Sequence, residues 1–143
     1  MNLGSLLFSF EGRINRAKYW LTAPIYLAAW IVVIAFASVV ASSTGTPAVA
    51  FLIALACFVP MLISTIAVGV KRLHDRDKSG WWLLVFYVLP GVLNGIGWVI
   101  GGAGSLVGGV ALIAISIWAF VELGCLRGTD GYNQHGPDPL QAA

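Results

Sequence analysis

Charged residues are scarce in this sequence of 143 residues. Asp, Glu, Lys and Arg make up 10% of it, whereas 59% of the residues are hydrophobic. A soluble domain has about 25% charged and roughly 45–50% apolar residues. A chain this short cannot enclose so much apolar surface, so the composition excludes an ordinary water-soluble globule. It also excludes a disordered chain, which needs low hydrophobicity and high net charge. The net charge is only +2, so the sequence predicts no nucleic-acid partner.

Two long stretches, residues 19–70 and 79–121, lack charged side chains altogether. A bilayer core needs about 20 apolar residues per helical crossing, and a charge at its centre costs roughly 2.5–3.5 kcal/mol. Polar breaks divide the stretches at residues 42–47 and 101–105. The sequence therefore predicts an all-α membrane protein, a single membrane domain over residues 1–143 that forms a four-transmembrane-helix bundle. The four helices are expected at about 20–41, 48–70, 81–100 and 106–126.

The basic residues indicate the orientation of these helices. All eight Lys and Arg lie before the first helix, between the second and third, or after the fourth, and the other two loops carry no charge. The positive-inside rule then puts both termini and the 71–80 loop in the cytoplasm.

The two ends of the chain differ in pattern. Leu3, Leu6, Leu7 and Phe10 share one helical face, which predicts a short N-terminal helix in the membrane interface. Residues 128–139 are rich in turn formers, which favours a loose tail or a turn-rich cytoplasmic strap.

Proline, glycine and cysteine give further expectations for the membrane helices. Pro24, Pro60 and Pro90 are expected to kink or break them. The pairs Gly91/Gly95, Gly97/Gly101 and Gly104/Gly108 favour close helix approach. The cysteines, Cys57 and Cys125, fall at different predicted depths, so neither a disulfide nor a metal pair is expected.

Three segments carry a resemblance to a known family: FEGRINRAKYW at 10–20, RLHDRDKSGWW at 72–82 and GTDGYNQHGPDP at 128–139. Together they resemble the bacterial inner-membrane family called domain of unknown function 805. The resemblance covers nearly the whole chain. It implies a small multi-spanning protein of the inner (plasma) membrane and implies no activity. His135 stands where the family pattern usually has an aromatic residue, which makes it a poor candidate for a shared function.

The predicted topology brings the charged residues of all three segments to one membrane face. In a structural interpretation, the arginines pair with carboxylates and tie the loops to the bundle, with Glu122, Asp130 and Asp138 as pairing groups. In a binding interpretation, the same face takes an anionic lipid headgroup or a partner protein. The residues expected to bind are Arg13, Arg16, Arg72, His74, Asp75, Arg76, Trp81 and Trp82.

Two alternatives stay open beside these. A membrane enzyme would use His74 as a general base, but adjacent His74 and Asp75 do not face each other on a helix. A small transporter or channel would use the interrupted third helix, with Asn94 or Glu122 as its polar group. The scattered histidines and carboxylates lack metal-ligand spacing, so no metal or cofactor is predicted. The sequence thus favours a non-enzymatic membrane protein of unknown activity, whose partners are membrane lipids, another protein or a second copy of the chain.

Overall fold

The fold was analysed in a computed structural model, which describes residues 2–141. The described residues form helices joined by short turns, and no strand occurs among them beyond one bridge between Asn133 and Gly136. The α-helices are α1 (Leu3–Phe8), α2 (Arg16–Thr44), α3 (Pro47–Asp75), α4 (Leu89–Ile100) and α5 (Ala103–Phe120). A π-helical turn, Leu84–Val88, precedes α4, and a second one, Val121–Cys125, continues α5. The predicted all-helical class is confirmed.

The chain divides into two compact units. The first consists of the residues up to Ser9 and of Ala17–Val68, and the second consists of Phe10–Arg16 and the chain from Gly69 onward. The single-domain interpretation of the sequence stays a prediction.

The first unit contains α1, α2 and most of α3. Asn2 caps α1, because its side-chain oxygen accepts the Ser5 backbone N–H at 2.8 Å. Leu6 is buried, whereas Leu3 and Phe8 are exposed. A hydroxyl contact of 2.8 Å joins Tyr26 to Ser64 between α2 and α3. The interfacial position of α1 stays a prediction.

Three helices are long and apolar enough to cross a membrane: Arg16–Thr44, Pro47–Asp75 and Ala103–Cys125. The fourth apolar helix, Leu84–Ile100, is shorter. Trp82 and Leu83 before it are already helical, close to the start expected at about residue 81. Pro90 lies directly after the π-helical turn of this segment, where its missing N–H removes one helical hydrogen bond. By contrast, Pro24 and Pro60 lie inside continuous helices, so they do not break them, and the alternative expectation of a kink stays a prediction.

The first long helix extends beyond the expected end at residue 41. Its last turn is polar, and the hydroxyls of Ser42, Ser43 and Thr44 donate to carbonyl oxygens of the preceding turn at 2.8–2.9 Å. Such back-bonding satisfies the hydroxyls inside a helix. The polar break in the sequence is therefore partly helical, and the turn itself is confined to Gly45 and Thr46.

The second unit is built on the tightly packed hairpin of α4 and α5. Gly101 and Gly102 both have positive φ and reverse the chain. A methyl group at Gly97 would overlap the carbonyl oxygen of Gly104, and one at Gly108 would lie 2.8 Å from that of Leu93. The two backbones touch because these positions lack side chains.

Candidate functional site

The second unit carries a polar cluster, here called the polar cap. It comprises the N-terminal segment Phe10–Arg16, residues 69–80 at the end of α3 and in the following loop, the π-helical turn Val121–Cys125, and the strap, which is residues 126–141. The three sequence segments that carry the family resemblance all contribute to it. Six of its charged side chains are buried, so the contacts that satisfy them determine what the polar cap can do.

Arg13 enters the cap from a turn at Gly12, whose φ of 85° favours glycine. Its Nε donates to Asp75 Oδ1 at 3.2 Å. Its terminal nitrogens donate to three strap carbonyls, those of Thr129 (2.5 Å), Gly131 (2.7 Å) and Gly136 (3.1 Å). The Arg13 side chain is 1% exposed. This guanidinium therefore holds the strap against the N-terminal segment.

Arg72 donates in the same way to backbone carbonyls that follow the end of α5. Its Nε donates to the Leu123 carbonyl at 2.7 Å, and one terminal nitrogen donates to the Leu126 carbonyl. Carbonyls at a helix C-terminus lack intrahelical donors and carry partial negative charge, so a cation suits them. The other terminal nitrogen contacts Asp75 Oδ2 at 2.5 Å, and the Arg72 side chain is fully buried.

Asp75 is the point where the two arginines meet, because each of its oxygens accepts from a different guanidinium. Its backbone carbonyl accepts the Thr129 N–H at 2.8 Å, which brings the strap close. A methyl group at Gly128 would overlap the Asp75 carboxylate, so only glycine fits there. Asp75, Arg13 and Arg72 thus form a buried triad of one anion and two cations.

A second ionic cluster surrounds Glu122 in the π-helical turn. Its Oε1 lies 3.1 Å from Arg76 Nε and 2.9 Å from Lys78 Nζ. The Glu122 side chain is 5% exposed, whereas those of Arg76 and Lys78 are 24% and 29% exposed. Lys78 Nζ also lies 5.2 Å from the centre of the Trp82 ring, within cation–π range. Two half-exposed cations therefore share one buried carboxylate.

The strap is held by its own turn as well as by Arg13. Asn133 donates to the His74 carbonyl and to the Thr129 hydroxyl, both at 2.9 Å. Asp138 accepts the backbone N–H groups of Leu140 (2.9 Å) and Gly131 (3.3 Å). These bonds, that of Leu140 above all, lower the pKa of Asp138 below its ordinary value, and the positive charge of Arg13 acts in the same direction.

The sequence of the chain matches, over residues 7–137, the family described as "Protein of unknown function (DUF805)". The chain belongs to this family. The resemblance seen in the three sequence segments is thereby confirmed.

Several similar proteins come from Escherichia coli K12. "Uncharacterized protein YiiR" is 33% identical over 139 residues, which cover 96% of this chain and 90% of that protein. "Inner membrane protein YhaI" is 31% identical over 91% of this chain and 85% of its own length, and "Inner membrane protein YhaH" is 26% identical over 91% and 86%. No solved structure matches the chain. DUF805 membership, the inner-membrane relatives and the apolar helices identify a membrane protein of unknown function.

Within this DUF805 protein, the residues expected to bind have different environments. Arg13, Arg72 and Asp75 are buried inside the cap, and His74 is half-buried. Arg16 is exposed and donates to the Cys125 carbonyl at 2.9 Å. Trp81 is 77% exposed, whereas Trp82 packs edge-on against Trp118. Asp130 lies outside the buried triad, in an exposed pair with Arg127 at 3.2 Å.

Sequence reasoning missed two contributors to the polar cap. Lys78 is absent from the expected binding set, although it follows Arg76 at a spacing of two and precedes the Trp81–Trp82 pair. Gly128 reads as a turn former in the sequence, whereas its missing side chain makes room for the Asp75 carboxylate. Within residues 2–141, no three His, Cys, Asp or Glu side chains cluster closely enough to hold a metal ion.

Proposed function

We propose that this DUF805 protein is a four-span inner-membrane binding protein, and that its polar cap takes an anionic lipid headgroup at the corner formed by Arg76, Lys78 and Trp81. The observation that carries the proposal is the imbalance around Glu122, where two half-exposed cations share one buried carboxylate. Trp81, whose indole is 77% exposed, follows Lys78 by three residues in the chain. Indole rings favour the headgroup level, and cations near an anionic leaflet each contribute about 1 kcal/mol.

The other arginines of the expected binding set have a different role in this proposal. The donors of Arg13 and Arg72 are directed to Asp75 and to backbone carbonyls, and both side chains are buried. A headgroup would have to displace these contacts to reach either guanidinium. We assign Arg13 and Arg72 to the framework of the cap, and the headgroup to Arg76 and Lys78.

The contacts of the polar cap also support four membrane crossings. Arg13 precedes α2, Asp75 ends α3 and Thr129 follows α5, yet Asp75 contacts both other residues. The three residues therefore lie on the same side of a membrane, which requires an even number of crossings between each pair. Two crossings by α2 and α3, followed by two through Leu84–Ile100 and α5, satisfy this condition. The shorter span, about 25 Å of helix, requires local thinning of the bilayer.

The side of the membrane is inferred from the charge distribution. All eight Lys and Arg belong to the polar cap or to the helix ends beside it, so the positive-inside rule places it in the cytoplasm. Both termini then lie on the cytoplasmic side as well. The cytoplasmic leaflet carries the negative surface potential that a cationic corner would recognise.

The enzymatic and transport alternatives gain less support. His74 and Asp75 point to separate partners, His74 to the Gly12 carbonyl at 3.3 Å and Asp75 to the two arginines, so they form no general-base dyad. A transporter or channel would use Glu122 or Asn94 as its polar group. Glu122 is already paired with two cations, and Asn94 is half-buried in α4.

Lipid retention by Lys78→Gln tests the binding proposal. The purified protein is titrated with phosphatidylglycerol, and bound lipids are counted by native mass spectrometry. We expect the variant to bind about fivefold more weakly, since one cation near an anionic headgroup contributes ~1 kcal/mol. Arg76 still pairs with Glu122 in this variant, so the fold should persist, and thermal unfolding verifies that it does.

Arg127→Gln is the matched control, because it removes the same charge from an exposed residue of the cap that is already paired with Asp130. It should bind phosphatidylglycerol within about twofold of the wild type. Zwitterionic phosphatidylcholine should not distinguish the three proteins. Equal binding of phosphatidylglycerol by wild type and Lys78→Gln would contradict the proposed corner.

A further inference from the structure

The chain has two histidines, and the structure stacks them against each other. The ring centres of His74 and His135 lie 3.8 Å apart, and the ring planes differ by 3°. His74 belongs to the last turn of α3, whereas His135 lies in the strap, inside the turn bridged by Asn133 and Gly136. The stack is therefore one of the contacts that fasten the far part of the strap to the helix end.

The surroundings of the stack suit neutral rings. His74 Nδ1 lies 3.3 Å from the Gly12 carbonyl oxygen, to which it donates. His135 Nε2 is buried and has no hydrogen-bond partner among the described residues. A protonated imidazole is a donor at both nitrogens. Charging His135 would then bury a donor without an acceptor, and charging both rings would place two cations 3.8 Å apart.

The charged groups around the stack do not offset this cost. The N-terminal segment contributes Arg13, α3 contributes Asp75, and the strap contributes Asp138. Arg13 and Asp75 pair with each other, and Asp138 accepts backbone N–H groups of the strap. Arg76 is directed to Glu122 on the other side of the cap. Among the described contacts, no carboxylate accepts from either ring.

The strap is attached at two places of different chemistry. Near its start, Thr129 donates to the Asp75 carbonyl and accepts from Arg13, contacts that do not depend on pH near neutrality. Further on, the His74–His135 stack holds the turn together with the bond from Asn133 to the His74 carbonyl. Arg13 also donates to the Gly136 carbonyl at 3.1 Å, and Gln134 to the Asp77 carbonyl at 3.4 Å. Imidazole is the side chain that ordinarily changes charge near neutral pH, and of these contacts only the stack contains it.

We propose that the His74–His135 stack is a proton-sensitive latch on the strap. With neutral rings, residues 132–141 are docked on the end of α3. When the cytoplasmic side becomes acidic, protonation of the rings releases these residues while Thr129 stays attached. Release removes the Gly136 carbonyl from the Arg13 guanidinium, which keeps its bonds to Asp75, Thr129 and Gly131. The latch does not depend on lipid binding at the Arg76–Lys78 corner.

Hydrogen–deuterium exchange of the full-length protein in nanodiscs tests the latch. Exchange is followed at about pH 7.5 and about pH 5.5, on the two sides of the ordinary pKa of an imidazole, and rates are corrected for intrinsic pH dependence. In the wild type, we expect protection of residues 132–141 to fall about tenfold or more at the lower pH. Peptides from α5 serve as the internal reference and should not change.

His135→Phe is the matched variant, because phenylalanine can stack on His74 but cannot be protonated. Its strap should stay protected at both pH values. An unchanged strap in the wild type, or the same loss of protection in both proteins, would overturn the latch.

A second measurement covers the case in which His135→Phe fails to fold. The ring signals of the two histidines are followed by NMR in the wild type across the same pH range. We expect their titration to coincide with the loss of strap protection. Rings that become protonated while the strap stays fully protected would also overturn the latch.

Discussion

Asp75 is the carboxylate that both buried arginines of the polar cap share. It joins Arg13 from the N-terminal segment to Arg72 from its own helix, and its backbone carbonyl accepts from Thr129. Burying three charges carries a large desolvation cost, which is offset only when each donor and acceptor is satisfied. Here the arginines are satisfied by strap and helix-end carbonyls as well as by the carboxylate, so the loss of one partner affects three segments.

The substitution Asp75→Asn should strongly destabilise the protein. It leaves two buried guanidinium groups without a counterion, and breaking a buried pair in this way typically costs about 3–5 kcal/mol. The free energy of unfolding, measured in mixed micelles with increasing denaturant, should fall by an amount in that range.

Asp130→Asn provides the exposed counterpart of this change. The side chains of Asp130 and its partner Arg127 are 75% and 67% exposed. Surface pairs contribute only about 0–1 kcal/mol, so the variant should unfold almost as the wild type does. Equal destabilisation by the two substitutions would mean that the buried triad does not support the fold.

At this scale, the sequence indicated one shared face for the charged residues but not which of them pair. The grouping of Arg13, Arg72 and Asp75 followed from the shared membrane face. The partner of each carboxylate depends on where the strap turns, and residues 128–139 specify turns without specifying their direction. Asp130 and Glu122 were both suggested as partners of the arginines, and only the structure separates the exposed pair from the buried clusters.

Among the elements, the α4–α5 hairpin brings two helix backbones into direct contact at its glycines. The glycines of the sequence fall into two groups that the pattern alone does not separate. Gly97, Gly104 and Gly108 lie where the two helices touch, whereas Gly91 and Gly95 have open space where a methyl group would be.

Gly97→Ala and Gly95→Ala therefore form a matched pair within one helix. The methyl group added at position 97 would overlap the Gly104 carbonyl oxygen, so the helices must separate. Such overpacking typically costs about 1–3 kcal/mol. The methyl group added at position 95 meets nothing, so that variant should be neutral or more stable by about 0.4–1 kcal/mol, because alanine restricts the unfolded chain. Thermal unfolding in detergent measures both, and similar midpoints for the two variants would contradict the hairpin packing.

The boundaries of the helices show what hydrophobicity can and cannot predict. Four apolar segments were expected, and four apolar helices are present among the described residues. Their ends differ because polar residues can remain helical, as Ser42, Ser43 and Thr44 do by bonding back to carbonyl oxygens. The π-helical turns at Leu84–Val88 and Val121–Cys125 depend on tertiary packing, which apolar composition does not encode.

For the whole molecule, the charge distribution and the contacts of Asp75 both support the proposed four-span topology. The positive-inside rule favours a cytoplasmic face for the Lys and Arg residues. The contacts of Asp75 with Arg13 and Thr129 require even numbers of crossings between the three segments. The proposed topology depends most on the shorter helix, Leu84–Ile100. If this helix did not cross the membrane, the strap would lie on the opposite side from the rest of the cap.

Cysteine accessibility in intact cells tests the four-span arrangement with its cytoplasmic cap most directly. In a Cys57→Ala/Cys125→Ala background, single cysteines replace Thr46, Ser79 and Tyr132 and are treated with a membrane-impermeant maleimide. We predict that the Thr46→Cys variant is labelled in intact cells, and that the other two react only after the membrane is permeabilised. Labelling of Ser79→Cys and Tyr132→Cys from opposite sides of the membrane would contradict the account.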